Sequence, residues 1–308
     1  MIEIGRFSQT SELAPFLSEG ADLSLPDALL ATELLLHSTD QNRGLRSDFQ
    51  NVFNPLSDSV LSIRDIRQLL KVLVGNFRRV QKDFPERRNI VIDLDLMPRS
   101  IAVILISFIV QVCYFRRIII IYSEYTYEID GKPLEDMLAT EDFWHEVYNY
   151  PSKLFSIPQT PGRFDASLPK TVFVNGGLDF GRLLNLAARW EPQDISLTYP
   201  AQIASDRDPA LLSAFDSLIR YERSISRMDL HGLIHNLNHW WSDVERRDVQ
   251  PMLICGGWKL QSVISCMWAS ENARVPAFAC MPDFISRKVK RVSGARWKLD
   301  LIDTAIIV

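Results

Sequence analysis

Cysteine is scarce and unpaired in this sequence: Cys113, Cys255, Cys266 and Cys280 are the only thiols in 308 residues, and none forms a C-x-x-C pair. That excludes a disulfide-stapled mini-protein. Three of the four sit in apolar stretches, the pattern of reduced, buried thiols in a cytoplasmic protein. No basic segment followed by a long apolar one opens the chain, so no secretory signal is expected. An excess of positive charge is missing too. Lysine and arginine number 34 against 38 aspartates and glutamates, a formal charge of −4, which rules out a nucleic-acid-coating polycation. One stretch imitates a membrane span, Ile101–Phe115 (IAVILISFIVQVCYF), but it falls short of the roughly 20 residues needed to cross the hydrocarbon core. A core helix feeding a buried strand explains it better, and no membrane association is expected.

Familiar catalytic signatures are also lacking. The phosphate loop G-x-x-x-x-G-K-[ST] and the dinucleotide fingerprint G-x-G-x-x-G are absent, which argues against ordinary ATPase or dehydrogenase chemistry. No H-E-x-x-H or G-x-S-x-G occurs, and a Ser–His–Asp triad cannot be assembled from spacing. What remains is an ordinary globular composition, 47% hydrophobic and 23% charged, enough to bury a real core.

The chain length suggests two domains of about 150 residues each, and the pattern within them is strand–helix–strand. Asn89–Asp95 (NIVIDLD) reads as a strand ending in carboxylates. Pro98 then suits the first turn of an apolar helix reaching about Val112. Arg117–Tyr125 (RIIIIYSEY) reads as a central parallel strand. Upstream, apolar residues at helical spacing mark Asp58–Lys82 as a helix, and a first strand is expected near Thr32–Ser38. Residues 126–170 form a polar, Pro-rich connection, in which YNYPSKLF is a short strand or arm, and the boundary between halves is set at 150/151. In the second half Thr171–Asn175, Asp194–Tyr199, Pro251–Cys255 and Val275–Met281 read as strands. Arg223–Arg227 is a short strand candidate. Helices are expected over Leu178–Arg189, Pro209–Tyr221, Asp229–Arg246 (capped by Asp229) and Trp258–Asn272. Lys298–Val308 is a last strand, placed at an edge. Strands alternating with helices imply an α/β fold with mainly parallel sheets flanked by helices.

Two segments echo each other: VFVNGGLDFGRLL from Val172 and MLICGGWKLQSVI from Met252. Each is an apolar strand, a Gly-Gly pair, two residues and a helix. Glycines let the backbone approach a ligand closely, and a helix start offers unpaired N–H groups to an anion. The same pairs also serve a tight strand-to-helix turn with no ligand at all, and both readings stand. The ligand-binding candidates are Gly176, Gly177, Gly256, Gly257 and Lys259, whose charge suits a phosphate. Asp179 either accepts from a ribose hydroxyl or caps its helix.

A strand ending in Gly256–Gly257, with Lys259 two residues on and a helix following, resembles the last conserved turn of the CRISPR-associated Rossmann fold (CARF) sensor domains. The strand ending Ser38–Thr39–Asp40 is similar to their first ligand-facing loop, which adds Asp40 to the candidates. Two such halves, 1–150 and 151–308, resemble the SAVED sensors of bacterial antiphage signalling, which bind cyclic nucleotides. The resemblance covers two short motifs and an order of elements. It departs at Trp258, where those sensors usually carry a small polar residue: an indole there stacks on a base or fills the pocket. No attached nuclease, HEPN or protease effector is visible.

Other clusters carry weaker expectations. His231, His235 and His239 lean to one face of a helix, but ligands at i and i+8 diverge by about 40° at 3.6 residues per turn, and a polar face explains them better than zinc. Asp93 and Asp95 end a strand as a metal or acid–base pair, or Asp95 caps the next helix. Two basic clusters stand out, Arg78–Arg88 and the set Arg287, Lys288, Lys290, Arg291, Arg296 and Lys298 around Trp297. These suit a nucleic-acid backbone, a phosphate-rich ligand or an acidic partner, or simply a solvated surface. The sequence therefore leads to two Rossmann-like halves in a non-catalytic, nucleotide-sensing or scaffold subunit of a defence-type complex, with a protein partner or homo-oligomer and no cofactor or metal. The rivals are a nucleotide-processing glycosidase or phosphodiesterase using Asp93, Asp95 or Asp179, and a purely structural partner-binding protein.

Overall fold

Apolar β-branched runs become strands where a turn comes soon after, and capped amphipathic runs become helices. The computed structural model describes residues 2–7, 89–94, 99, 102–104, 106–107, 117–129, 132–133, 152–157, 164–177, 180–201, 215–226, 229–271, 275–282 and 289–302. The chain divides into two compact units, Met1–Tyr125 with Ser293–Val308, and Thr126–Val292. The expectations for Thr32–Ser38, Asp58–Lys82 and Arg78–Arg88 lie outside the described residues.

One sheet has five strands. Its strands are β1 (Ile2–Phe7), β2 (Asn89–Asp93), β3 (Arg117–Ile129), the two-residue β4 (Lys132–Pro133) and β11 (Val289–Ile302), in the order β1-β11-β3-β2 with β4 on β3. β2 and β3 are parallel, in register from Asn89↔Arg117 to Asp93↔Ile121. Between them residues 102–104 and 106–107 are helical and buried, as expected of a core helix. Among the described residues no helix is long and apolar enough to cross a membrane.

Two expectations are corrected here. This sheet is mixed, because β11 runs antiparallel to β1 and β4 antiparallel to β3. In addition, β11 begins nine residues before Lys298 and lies between β1 and β3 instead of at an edge. The alternation Trp297–Lys298–Leu299–Asp300–Leu301 is the pattern of an antiparallel strand, which needs no crossover helix to join its sheet.

The second unit holds six strands. They are β5 (Ser152–Ser156), β6 (Lys170–Asn175), β7 (Asp194–Pro200), β8 (Ile219–Ile225), β9 (Gln250–Cys255) and β10 (Ala277–Pro282), in the order β5-β10-β9-β6-β7-β8. The last five in that order are mutually parallel; β5, from the YNYPSKLF segment, adds antiparallel to β10. Among the described residues three helices connect them: α1 (Phe180–Ala188), α2 (Leu230–Val244) and α3 (Lys259–Glu271). Asp229 caps α2 as expected, accepting from Gly232 N at 2.7 Å. The helix expected over Pro209–Tyr221 does not extend to Tyr221; residues 209–214 lie outside the described residues. Leu218 N and Ile219 N both donate to Phe215 O, closing a turn, and Ile219 then begins β8.

Both faces of this sheet are covered, as a continuous apolar strand requires. Val172 and Val174 of β6 join the core around Phe180, Leu183 and Leu184 of α1. Phe173 points the other way and meets Trp240 of α2, ring centroids 5.5 Å apart. α3 is buried nearly all round, Gln261, Ser262 and Ser265 included. The strand order contains a reversal. From β6 the chain steps outward to β7 and β8, and α2 then carries it back across to β9 on the other side of β6. The direction of winding therefore changes between β6 and β9. Ligands of open α/β sheets collect at the carboxyl ends of the strands flanking such a reversal.

The amino ends of the strands are clamped by charge. Asp194, first in β7, accepts from Thr171 Oγ1 of β6 and from Arg247 Nη2 at 2.5 Å. Arg247 and Arg220 both reach Asp243, each at 3.2 Å. The hydrogen bond to Asp194, assisted by the charges of Asp194 and Asp243, raises the Arg247 pKa against the opposing effect of burial. A base so raised contributes its stabilisation at every pH below its ordinary value, so the guanidinium side of the clamp holds across the neutral range. Replacing Asp194 with Ala leaves Arg247 and Thr171 without their shared partner. We expect a loss of about 3 kcal/mol, read as a lower urea midpoint with an unchanged slope; a loss under about 0.5 kcal/mol would contradict the clamp.

Candidate functional site

β6 ends in Asn175 and β9 in Cys255, which pair in register, so the two Gly-Gly turns emerge side by side at the reversal. They touch backbone to backbone: a Cβ added to Gly177 would lie 2.9 Å from Gly257 Cα. Gly257 has φ +73°, a left-handed conformation that disfavours any side chain. Gly176 and Gly256 are closely packed as well, against Phe180 and the Thr198 carbonyl in one case and against Leu183 and the Asn175 carbonyl in the other. Close packing around the two turns, with the positive φ of Gly257, is thus a sufficient physical reason for these glycines.

A buried polar cluster holds the turns in place. The Asn175 amide donates to Gly256 O at 3.2 Å and to Ser265 Oγ at 2.9 Å, and its Oδ1 accepts from Thr198 Oγ1 at 3.2 Å. One side chain therefore ties β6, β7, the β9 turn and α3 together. Ser262 Oγ bonds Gly256 O and reaches Trp258 O at 3.1 Å. Gln261, the third residue of α3, accepts from Trp258 N at 3.4 Å, the returning half of a capping box.

These bonds engage several of the turn amides. Gly176 N donates to Thr198 O at 2.7 Å, and Gly256 N to Ile254 O at 3.0 Å. Trp258 is only 6% exposed, so its indole is packed into the fold and offers no open stacking face. Lys259 opens α3, half-buried. Asp40 and Asp179 lie outside the described residues.

The remaining candidates fall elsewhere. Asp93 is the last residue of β2; Asp95, Arg287 and Lys288 are outside the described residues. Lys290, Arg291, Arg296 and Lys298 lie along β11, where Arg296 and Lys298 are in register with Phe7 and Gly5. His231, His235 and His239 are exposed along α2, and His239 stacks on Tyr221 at 5.2 Å. Among the described residues no cluster of three or more His, Cys, Asp or Glu is placed to hold a metal. Cys255, Cys266 and Cys280 are buried and form no disulfide, as expected.

Asn175, Thr198, Gln261, Ser262 and Ser265 were not singled out by the sequence. The one available signal was Asn175, a polar residue closing the apolar run VFVN directly before Gly-Gly. No protein-family model matches the chain, and a search of curated proteins finds none similar to it.

The Asn175 clasp makes a sharp prediction. Asn175→Ala strands Thr198 and Ser265 and removes one donor from Gly256 O, at a cost of about 2–3 kcal/mol. Asn175→Asp, nearly isosteric, should cost at least as much, because it turns a carboxylate oxygen towards the Gly256 carbonyl. Chemical denaturation of both variants reads this directly, and a tolerated Asp would contradict the clasp.

Proposed function

We propose that the chain is a non-catalytic, nucleotide-sensing or scaffold subunit of a bacterial antiphage defence-type complex, built from two Rossmann-like halves and working in the cytoplasm. One observation carries the reading: both glycine-hinged helix starts meet at the winding reversal between β6 and β9. That is where doubly wound sheets take their ligands. The ligand class comes from the chemistry there. Two helix starts direct their dipoles to one place, and Lys259 adds a positive charge suited to a phosphate. Trp258, buried at the turn, acts as a gate. The CARF and SAVED resemblance supplies the assignment to defence and the expectation of a partner chain.

A second reading has its own support. The turns are buried, and three of their amides already have protein acceptors, as in a structural module whose site is filled by its own backbone. The two readings part on ligand response. With AMP, NAD and cyclic di-AMP, the sensor should show a raised melting temperature and no turnover, and Lys259→Ala should weaken the shift by about tenfold in apparent affinity, the worth of one charge-assisted contact. Turnover of any of the three would favour an enzyme. No shift from any of them, together with co-purification of a second chain, would favour the structural module.

A further inference from the structure

Gln261 belongs to two helix starts at once. Its Oε1 accepts from Trp258 N at the start of α3, while its Nε2 donates to Ser226 O at 3.2 Å. Ser226 ends the segment leaving β8, and the same carbonyl accepts from Asp229 N at 3.1 Å. Asp229 is in turn the cap of α2. One amide side chain therefore links the turn after β9 to the entry of α2. Gln261 itself is 1% exposed, and its Oε1 sits so close to the turn that a Cβ on Gly257 would lie 2.9 Å from it.

An oxygen held against a helix-start N–H occupies the position that a ligand oxyanion would take. A neutral carboxamide oxygen is a weaker acceptor than a phosphate oxygen, so an anion can displace it. When Oε1 leaves, the side chain swings and Nε2 cannot keep its hold on Ser226.

We propose that Gln261 is an internal stand-in for the ligand, and that its displacement transmits occupancy of the glycine turns to the start of α2. This rests on the sensor reading above and names how that site is coupled to the rest of its unit. α2 is a suitable output. It is the crossover that spans the sheet from β8 to β9, and it carries His231 and His235 exposed on its first turns. Loss of the Ser226 tie loosens the cap turn without disturbing the buried face of α2 formed by Leu233, Leu237 and Trp240.

Two substitutions at Gln261 give opposite signs. Gln261→Ala removes the competitor, so AMP, NAD or cyclic di-AMP should bind about three- to tenfold tighter, the worth of one modest hydrogen bond. Amide exchange over residues 229–235 should be fast even without ligand. Gln261→Glu places a carboxylate on the same N–H and should weaken binding by a similar factor, although it is at least as good a helix cap. A residue that only caps α3 would move stability in both variants and leave nucleotide affinity unchanged. In the unsubstituted protein, nucleotide should raise exchange at 229–235. If nucleotide binds but affinity is the same in all three proteins and exchange at 229–235 does not respond, the coupling is refuted and the sensor reading stands. If none of the three nucleotides binds the unsubstituted protein or Gln261→Ala, the sensor reading fails and the coupling falls with it.

Discussion

Two peptide turns in direct backbone contact govern this structure. Gly177 lies so close to the Gly257 backbone that it has no room for a side chain, while Gly257 is closed in by Asn175 Oδ1 and Gln261 Oε1, and much of what is distinctive in the second unit stems from that approach. β6 and β9 must run in level register for the turns to emerge together. The polar ends of Asn175, Thr198, Ser262 and Ser265 must then be buried, since the helix after the second turn lies directly over the first. Buried polar groups are tolerable only when fully paired, and the Asn175 amide makes three bonds to meet that condition. The glycines are a small resource spent in one place: four of the thirteen in the chain lie in these two turns.

The two ends of the sheet are held by different physics. At the amino ends a carboxylate, Asp194, gathers Thr171, Arg220 and Arg247, a charged clamp at the rim of the fold. At the carboxyl ends the turns are held by backbone contact and by neutral hydrogen bonds of Asn175, Thr198, Ser262 and Gln261. The charged clamp and the neutral Asn175 clasp thus sit at opposite ends of the same strands.

Much of the architecture was legible in the chain because it is encoded locally. TVFVN, DISLTY and PMLIC are short apolar runs with turns behind them, and Asp229 announces the start of α2. The doubled Gly-Gly motif could be seen as a pair. What could not be seen was that the pair meets, since β6 and β9 are neighbours only through a crossover and Asn175 and Gly256 are 81 residues apart. Ser262 and Ser265 carry no signal beyond lying in an expected helix, and their burial depends on α3 being packed on both sides. β8 was obscured for a related reason: IRYERSI carries too few apolar residues to outweigh the helical spacing before it, and its place is set by pairing with β7. The mixed first sheet was missed because its strands come from both ends of the chain.

A double-substitution cycle at Gly177 and Gly257 tests the contact between the turns most directly. Each Gly→Ala change alone should destabilise the protein, Gly257→Ala the more because of its positive φ. The Gly177 methyl presses on the Gly257 backbone, and the Gly257 methyl meets Asn175 Oδ1 and Gln261 Oε1. A turn shifted by the first substitution changes the room left for the second, so the double variant should depart from the sum of the two losses by about 1 kcal/mol or more, a coupling of the size expected for residues in contact. Additive losses, within about 0.5 kcal/mol, would mean that the turns do not bear on one another, and the site proposed between β6 and β9 would go with that contact.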